Sequence, residues 1–187
     1  MSMPSLCLAG ALALALSATG AVAEGVDNRA AKAPRLGKPI SATNAGKWDL
    51  NVFPDGLGLP AGRGSAVEGR RIYTAQCASC HGEGGRGATA EELAGGTGPL
   101  DSKTPDKTIG LYWPYATTIF DFTRRAMPMN SPGSLTDDEV YALTAYLLFA
   151  NNIIGEGEEM NARTLPKVKM PNRDGFVGID AKPAPGK

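Results

Sequence analysis

Five residues, Cys77-Ala78-Ser79-Cys80-His81, constrain this chain more than any other stretch. The spacing C-x-x-C-H is the attachment motif of a c-type haem. Two thiols three residues apart on a helical turn reach the two vinyl groups on one porphyrin edge. The next residue then turns its imidazole under the iron. Other readings of a C-x-x-C pair fit less well. A structural zinc site is closed at four ligands, yet the only other cysteine is Cys7 and the only histidine is His81. A thioredoxin-like pair calls for a βαβ pattern around the motif, and none is visible here.

The 187 residues open with an address. Residues 1–23 read as a secretory signal, with an apolar core from Leu6 to Leu16 and a small-x-small cleavage site at Ala21-Val22-Ala23. No Lys or Arg precedes that core, which is atypical. The core is too short to span a bilayer, and no later apolar stretch reaches that length. Signal removal leaves 164 residues (187 minus 23) and no membrane span. Export to the periplasm suits a haem attached outside the cytoplasm. Lys+Arg and Asp+Glu are equal at 19 each, with no long basic run, so nucleic acid is an unfitting partner.

Residues 24–64 form an extended N-terminal arm, because ten Gly and Pro between Pro34 and Gly64 prevent any long helix. Trp48, Leu50, Val52 and Phe53 are its anchors, on this chain's own core or on a partner. Residues 65–153 form the haem domain. Its first helix, 65–80, starts with Ser65 and Glu68 as a capping box. Gly69 inside it implies close approach of another helix, since glycine there costs about 1 kcal/mol against alanine. The region 82–110 is irregular, with a short helix expected near Ala90–Leu93. A second helix covers 115–126, with Ile119, Phe120 and Phe122 as apolar contacts. The last, Thr136–Ala150, has Thr136 and Glu139 as a capping box and Val140, Leu143, Leu147 and Leu148 on a buried face. Tyr141, Tyr146 and Phe149 supply aromatic bulk to meet Gly69 and Tyr73. Residues 154–187 are a second extended arm, polar and proline-punctuated, whose end has the composition of a disordered segment.

The iron needs a second axial ligand, and His81 has no histidine partner. Thioether sulfur fills that role in cytochromes and raises the potential. Met127 is the expected ligand, because Pro128 pushes it out of helical conformation as the helix ends. Met129 is the alternative, and core filling is the ordinary use of both. A ligating histidine donates its second ring N–H to a carbonyl, and Pro99 in Gly98-Pro99-Leu100 is the candidate, a plain loop proline being the other reading. Arg124 and Arg125 end the second helix, where cations suit its dipole; with Trp113 they are also candidates for the haem surroundings.

The order Gly69-x-x-x-Tyr73, C-x-x-C-H, Gly98-Pro99-Leu100, Met127-Pro128 and a final aromatic-rich helix resembles class I cytochromes c over residues 65–153. The resemblance implies an all-α fold with first and last helices crossed beside one covalent haem c, and His81 and Met127 as axial ligands. A narrower resemblance covers most of the chain. Trp48-Asp49-Leu50-Asn51-Val52, Tyr112-Trp113-Pro114-Tyr115, Arg125-Ala126-Met127-Pro128 and Leu165-Pro166-Lys167-Val168-Lys169-Met170-Pro171 look like the cytochrome subunit of periplasmic sulfite or sulfane dehydrogenases. That family pairs the cytochrome with a molybdenum-cofactor subunit. Members from thiosulfate oxidation often carry two haems; one C-x-x-C-H here favours a monohaem, sulfite-type subunit.

The implied function is single-electron transfer from a molybdenum-cofactor dehydrogenase subunit to a soluble cytochrome c or similar acceptor, with no catalytic residue of the chain's own. A free diffusible cytochrome shuttle shares every haem residue. A haem enzyme would need a labile axial position.

Overall fold

The computed structural model describes residues 36–46 and 48–178. The expected signal segment, residues 1–23, and the end of the expected C-terminal arm lie outside the described residues. The chain divides into two units, Met1–Ile40 and Ser41–Lys187, and every helix and strand among the described residues lies in the second. A short helix α1 (Ala42–Gly46) is followed by β1 (Arg63–Ser65), α2 (Ala66–Gln76), α3 (Ala78–His81), α4 (Ala116–Ala126), α5 (Asp137–Ala150) and β2 (Glu159–Asn161). Two 3-10 turns, Glu83–Gly85 and Leu165–Lys167, complete the regular structure. No helix among the described residues is long and apolar enough to cross a membrane.

Both expected capping boxes form. Ser65 accepts from the Glu68 N–H and Thr136 from the Glu139 N–H, while each glutamate returns a bond to the cap backbone. Reciprocal bonds of this kind satisfy helix N–H groups that have no partner inside the helix. The first helix does not run unbroken to residue 80. It stops at Gln76, with Cys77 as its C-cap, and a separate turn carries Ala78–His81.

Helix α5 is the axis of the core. Val140 to Leu148 are all buried, not only one face, as expected of a helix apolar all round. Helix α2 crosses it where Gly69 lies: a Cβ there would collide with the Ala142 carbonyl and come within 2.7 Å of Tyr146 Cβ. The ring of Tyr146 packs 5.0 Å from that of Tyr73. Helix α4 adds Ile119 and Phe120, the latter 4.4 Å from the Tyr141 ring. Phe122, expected as an apolar contact, is instead half exposed and meets Trp113 edge-on at 6.2 Å.

The two arms are built into this core. Strand β1 pairs antiparallel with β2, Gly64 opposite Met160. From the first arm, Val52 and Leu59 pack on the core, the Pro60 carbonyl accepts from Tyr141 Oη at 2.8 Å, and the Val52 N–H donates to Asp121 at 3.0 Å. Trp48 and Phe53, expected as anchors, are largely exposed. From the second arm, Met160, Leu165 and Met170 are fully buried. Asn172 donates to the Tyr112 carbonyl at 2.7 Å, and the Arg173 guanidinium lies 4.3 Å from the centre of the Tyr115 ring. The helix expected near Ala90–Leu93 does not form. Ala90 N–H donates back to the Cys80 carbonyl, and Leu93 and Ala94 N–H groups donate to Gly85. Those long-range bonds use the donors a helix would have needed.

Candidate haem site

Cys77 N–H donates to the Tyr73 carbonyl at 2.8 Å, which ties the motif to the end of α2. Cys77 is half-buried, Cys80 is exposed, and the two are not joined in a disulfide. Gly82 then reverses the chain with φ 76°, and a Cβ there would strike the Gly87 carbonyl. Tyr73 Oη donates to the Gly82 carbonyl at 2.9 Å, and Gly87 N–H donates to the His81 carbonyl at 2.8 Å. The motif therefore sits in a turn fastened on both sides.

His81 Nδ1 lies 2.8 Å from a carbonyl, and that carbonyl belongs to Glu91. Pro99, the expected partner, is exposed, and its carbonyl accepts from Ser102 N–H instead. The reason is the returning loop: the bond from Ala90 N–H to the Cys80 carbonyl brings residue 91 alongside His81. A carbonyl only accepts, so Nδ1 carries the proton and Nε2 keeps its lone pair. That is the tautomer a ligating histidine requires. Sequence reasoning missed Glu91 because a backbone carbonyl leaves no residue-type signal.

A cavity of about 330 Å³ opens beside the motif. Cys77, Cys80 and His81 line it together with Met127 and Met129. Tyr73, Leu93, Leu143 and Leu147 give it apolar walls. Met127 caps α4 in extended conformation, φ −120° and ψ 148°, and is half-buried, whereas Met129 is 79% exposed. A wider groove of about 720 Å³, lined by Arg63, Glu68, Arg71 and Asp138 among others, is polar and holds none of the expected residues. The donor set and the apolar walls of the smaller cavity fit a covalently attached haem: two thiols, one imidazole in the ligating tautomer and a thioether face one space.

Three expected neighbours lie elsewhere. Arg124 pairs with Asp137 at 3.2 Å, Arg125 pairs with Asp121, and Trp113 meets Phe122 edge-on; none of them lines the cavity. The arginines serve the helix end and, through Asp121, the first arm.

Burial pushes the Cys77 thiol up to about 11, with nearby Cys80 adding to the shift. Dithiol oxidoreductases depend on a lowered thiol pKa. The direction here is opposite, which weighs against a haem-free redox pair.

The cytochrome c family's sequence model matches residues 66–150. A chain of the sulfane dehydrogenase SoxCD from Paracoccus pantotrophus superposes with a TM-score of 0.72 and 38% identity, covering 78% of this chain and 72% of that one. The chain belongs to the cytochrome c family. Its cofactor is haem c, and its general activity is electron transfer. The cytochrome is also 33% identical over 90 residues to a thiosulfate dehydrogenase of Stutzerimonas stutzeri. That match takes in 47% of this chain and only 28% of the relative. The all-α class I fold expected from the sequence is borne out, with one small two-stranded pairing added.

Proposed function

We propose that this cytochrome is a monohaem electron-transfer subunit, exported to the periplasm, that accepts single electrons from a molybdenum-cofactor sulfite or sulfane dehydrogenase subunit. It passes them to a soluble cytochrome c or similar acceptor. Cys77 and Cys80 would hold the haem covalently, and His81 and Met127 would ligate its iron. When bound, haem c supplies one-electron exchange between ferric and ferrous iron. The chain's own residues do the rest. Two protein ligands would leave no position for substrate at the iron, and the proposal assigns no catalytic role to any residue of the chain. Glu91 orients the imidazole through its carbonyl, while Tyr73, Leu93, Leu143 and Leu147 supply apolar wall to the cavity.

The observation that carries the haem reading is the convergence of Cys77, Cys80, His81 and Met127 on one apolar cavity. The partner reading rests on the likeness to the sulfane dehydrogenase chain, which extends beyond residues 66–150 to 78% of this sequence and so takes in part of the arms. The test is gentle purification of the native material, followed by addition of sulfite while the haem absorbance is recorded. Rapid reduction by a sample that contains molybdenum and a second polypeptide supports the proposal. Failure of that sample to respond to sulfite points to another sulfur substrate. A cytochrome that purifies alone under conditions shown to preserve complexes sinks the subunit assignment and leaves a diffusible shuttle.

A further inference from the structure

Helix α5 ends at Asn151, whose side chain reaches well beyond the cap. Its Nδ2 donates to the Leu147 carbonyl at 2.8 Å, the ordinary service to a helix end, and also to the Leu93 carbonyl at 3.1 Å. Its Oδ1 accepts from Gly110 N–H at 3.1 Å. Two carbonyls and one N–H fix which end of the amide points where. Only one of these three bonds, that to Leu147, stays within α5; the other two run to two separate loop segments. The Gly110 segment can come this near because residue 110 has no side chain: a Cβ there would press Asn151 Oδ1 at 2.7 Å.

Leu93 is the pivot of the loop that serves His81. Its carbonyl also accepts from Ile109 N–H at 3.1 Å, and its own N–H donates to Gly85 at 2.8 Å. Two residues before it, the Glu91 carbonyl meets His81 Nδ1. His81 is thus oriented by a backbone group on a loop, and that loop is fastened from outside by the Ile109 N–H and by one amide side chain, that of Asn151 at the end of the last helix.

We infer that Asn151 is the positioning residue for His81, holding the Glu91 carbonyl against the ring N–H and thereby tuning the iron ligand. The inference rests on His81 being that ligand. An accepting carbonyl raises the basicity of a ligating imidazole and so favours ferric iron. Loosening the loop weakens that bond and raises the midpoint potential.

The test uses the holo-protein with Asn151→Ala, and Asn151→Asp as a near-isosteric variant that keeps the acceptor for Gly110 but loses both donors. Thr108→Val is the control. It removes a 2.9 Å bond from Thr108 Oγ1 to the Gly95 carbonyl in the neighbouring stretch without touching Leu93. Exchange of the His81 ring N–H with solvent is followed by NMR, and the midpoint potential by redox titration. Both Asn151 variants are expected to exchange this proton about tenfold faster, in line with loss of one hydrogen bond's net contribution, with a raised potential. Thr108→Val should lower the unfolding midpoint and leave both readouts in place. Equal shifts in Thr108→Val reduce the role of Asn151 to general stability and overturn the inference, as does an unchanged ring proton in both Asn151 variants. Absence of histidine-ligated covalent haem in the wild type is visible before any variant is made. It sinks the reading of the site, and this inference with it.

Discussion

Gly69 lies against the Ala142 carbonyl where α2 crosses α5, with no room for a methyl group between them. The contact sets how near the two helices come. It also places Tyr73, one turn further along α2, on the cavity wall.

Replacing Gly69 with alanine therefore sets two effects against each other. Alanine improves helix propensity by about 1 kcal/mol. Overpacking against a backbone carbonyl costs about 1–3 kcal/mol or more, because a carbonyl has no rotamer to move to. The second effect wins: Gly69→Ala should lower the unfolding midpoint in urea without changing the slope. An unchanged or raised midpoint would mean the helices can separate at no cost.

The two methionines separate by their exposure. Met127→Leu should abolish the Met–Fe charge-transfer band of the oxidised protein and lower the midpoint potential, since a thioether ligand raises it. Met129→Leu should leave both unchanged. The reverse pattern would transfer the ligand role to Met129.

Leu165 belongs to the second arm yet is as buried as any leucine of α5. Leu165→Ala should destabilise the protein by about 2–5 kcal/mol, the usual cost of a large-to-small core change, while the haem spectrum of the folded fraction stays the same. A loss within about 0.5 kcal/mol, typical of a surface site, would show the arm is only laid on the surface.

Alkaline pH should unfold the protein earlier than an exposed-tyrosine protein. Burial pushes Tyr73 and Tyr141 up from 10.0 to about 12, and Asp137 adds to the shift at Tyr141. The Cys77 thiolate also raises Tyr73, a contribution that disappears when the sulfur is bound in thioether linkage. For a group whose folded pKa is raised, the linked stability is fully present below the unfolded value and is lost as pH climbs through the folded one. Stability from urea titrations should therefore fall between pH 10 and about 12, together with the rise in tyrosinate absorbance. A flat profile across that window would show that both hydroxyls reach solvent.

Much of this was readable in the residues. Ser65 with Glu68 and Thr136 with Glu139 marked two helix starts, and both boxes form. Gly69 announced the helix crossing. The cysteines and the histidine needed only their spacing. What stayed hidden was written in the backbone. The partner of His81 is a carbonyl, which every residue has, so the choice between Glu91 and Pro99 depends on how the loop returns and not on what it is made of. The contacts of the arms stayed hidden for a related reason. Glycine and proline rule out helix, but they do not say that Gly64 pairs with Met160 or that Leu165 is core. Arg124 and Arg125 were candidates for the helix end or the haem surroundings; their acidic partners, Asp137 and Asp121, lie on a neighbouring helix and one turn back.

The pairing of Arg63–Ser65 with Glu159–Asn161 has a consequence for the order of events in folding. Its two halves are separated by nearly the whole haem domain, and contacts so far apart in sequence form late. Helix α5, which closes the back of the cavity, also follows the two cysteines by some sixty residues. A chain emerging from its N-terminal end presents its thiols long before it can shut the space beside them. A haem would thus have a window in which to enter before the pairing of β1 with β2 completes the fold.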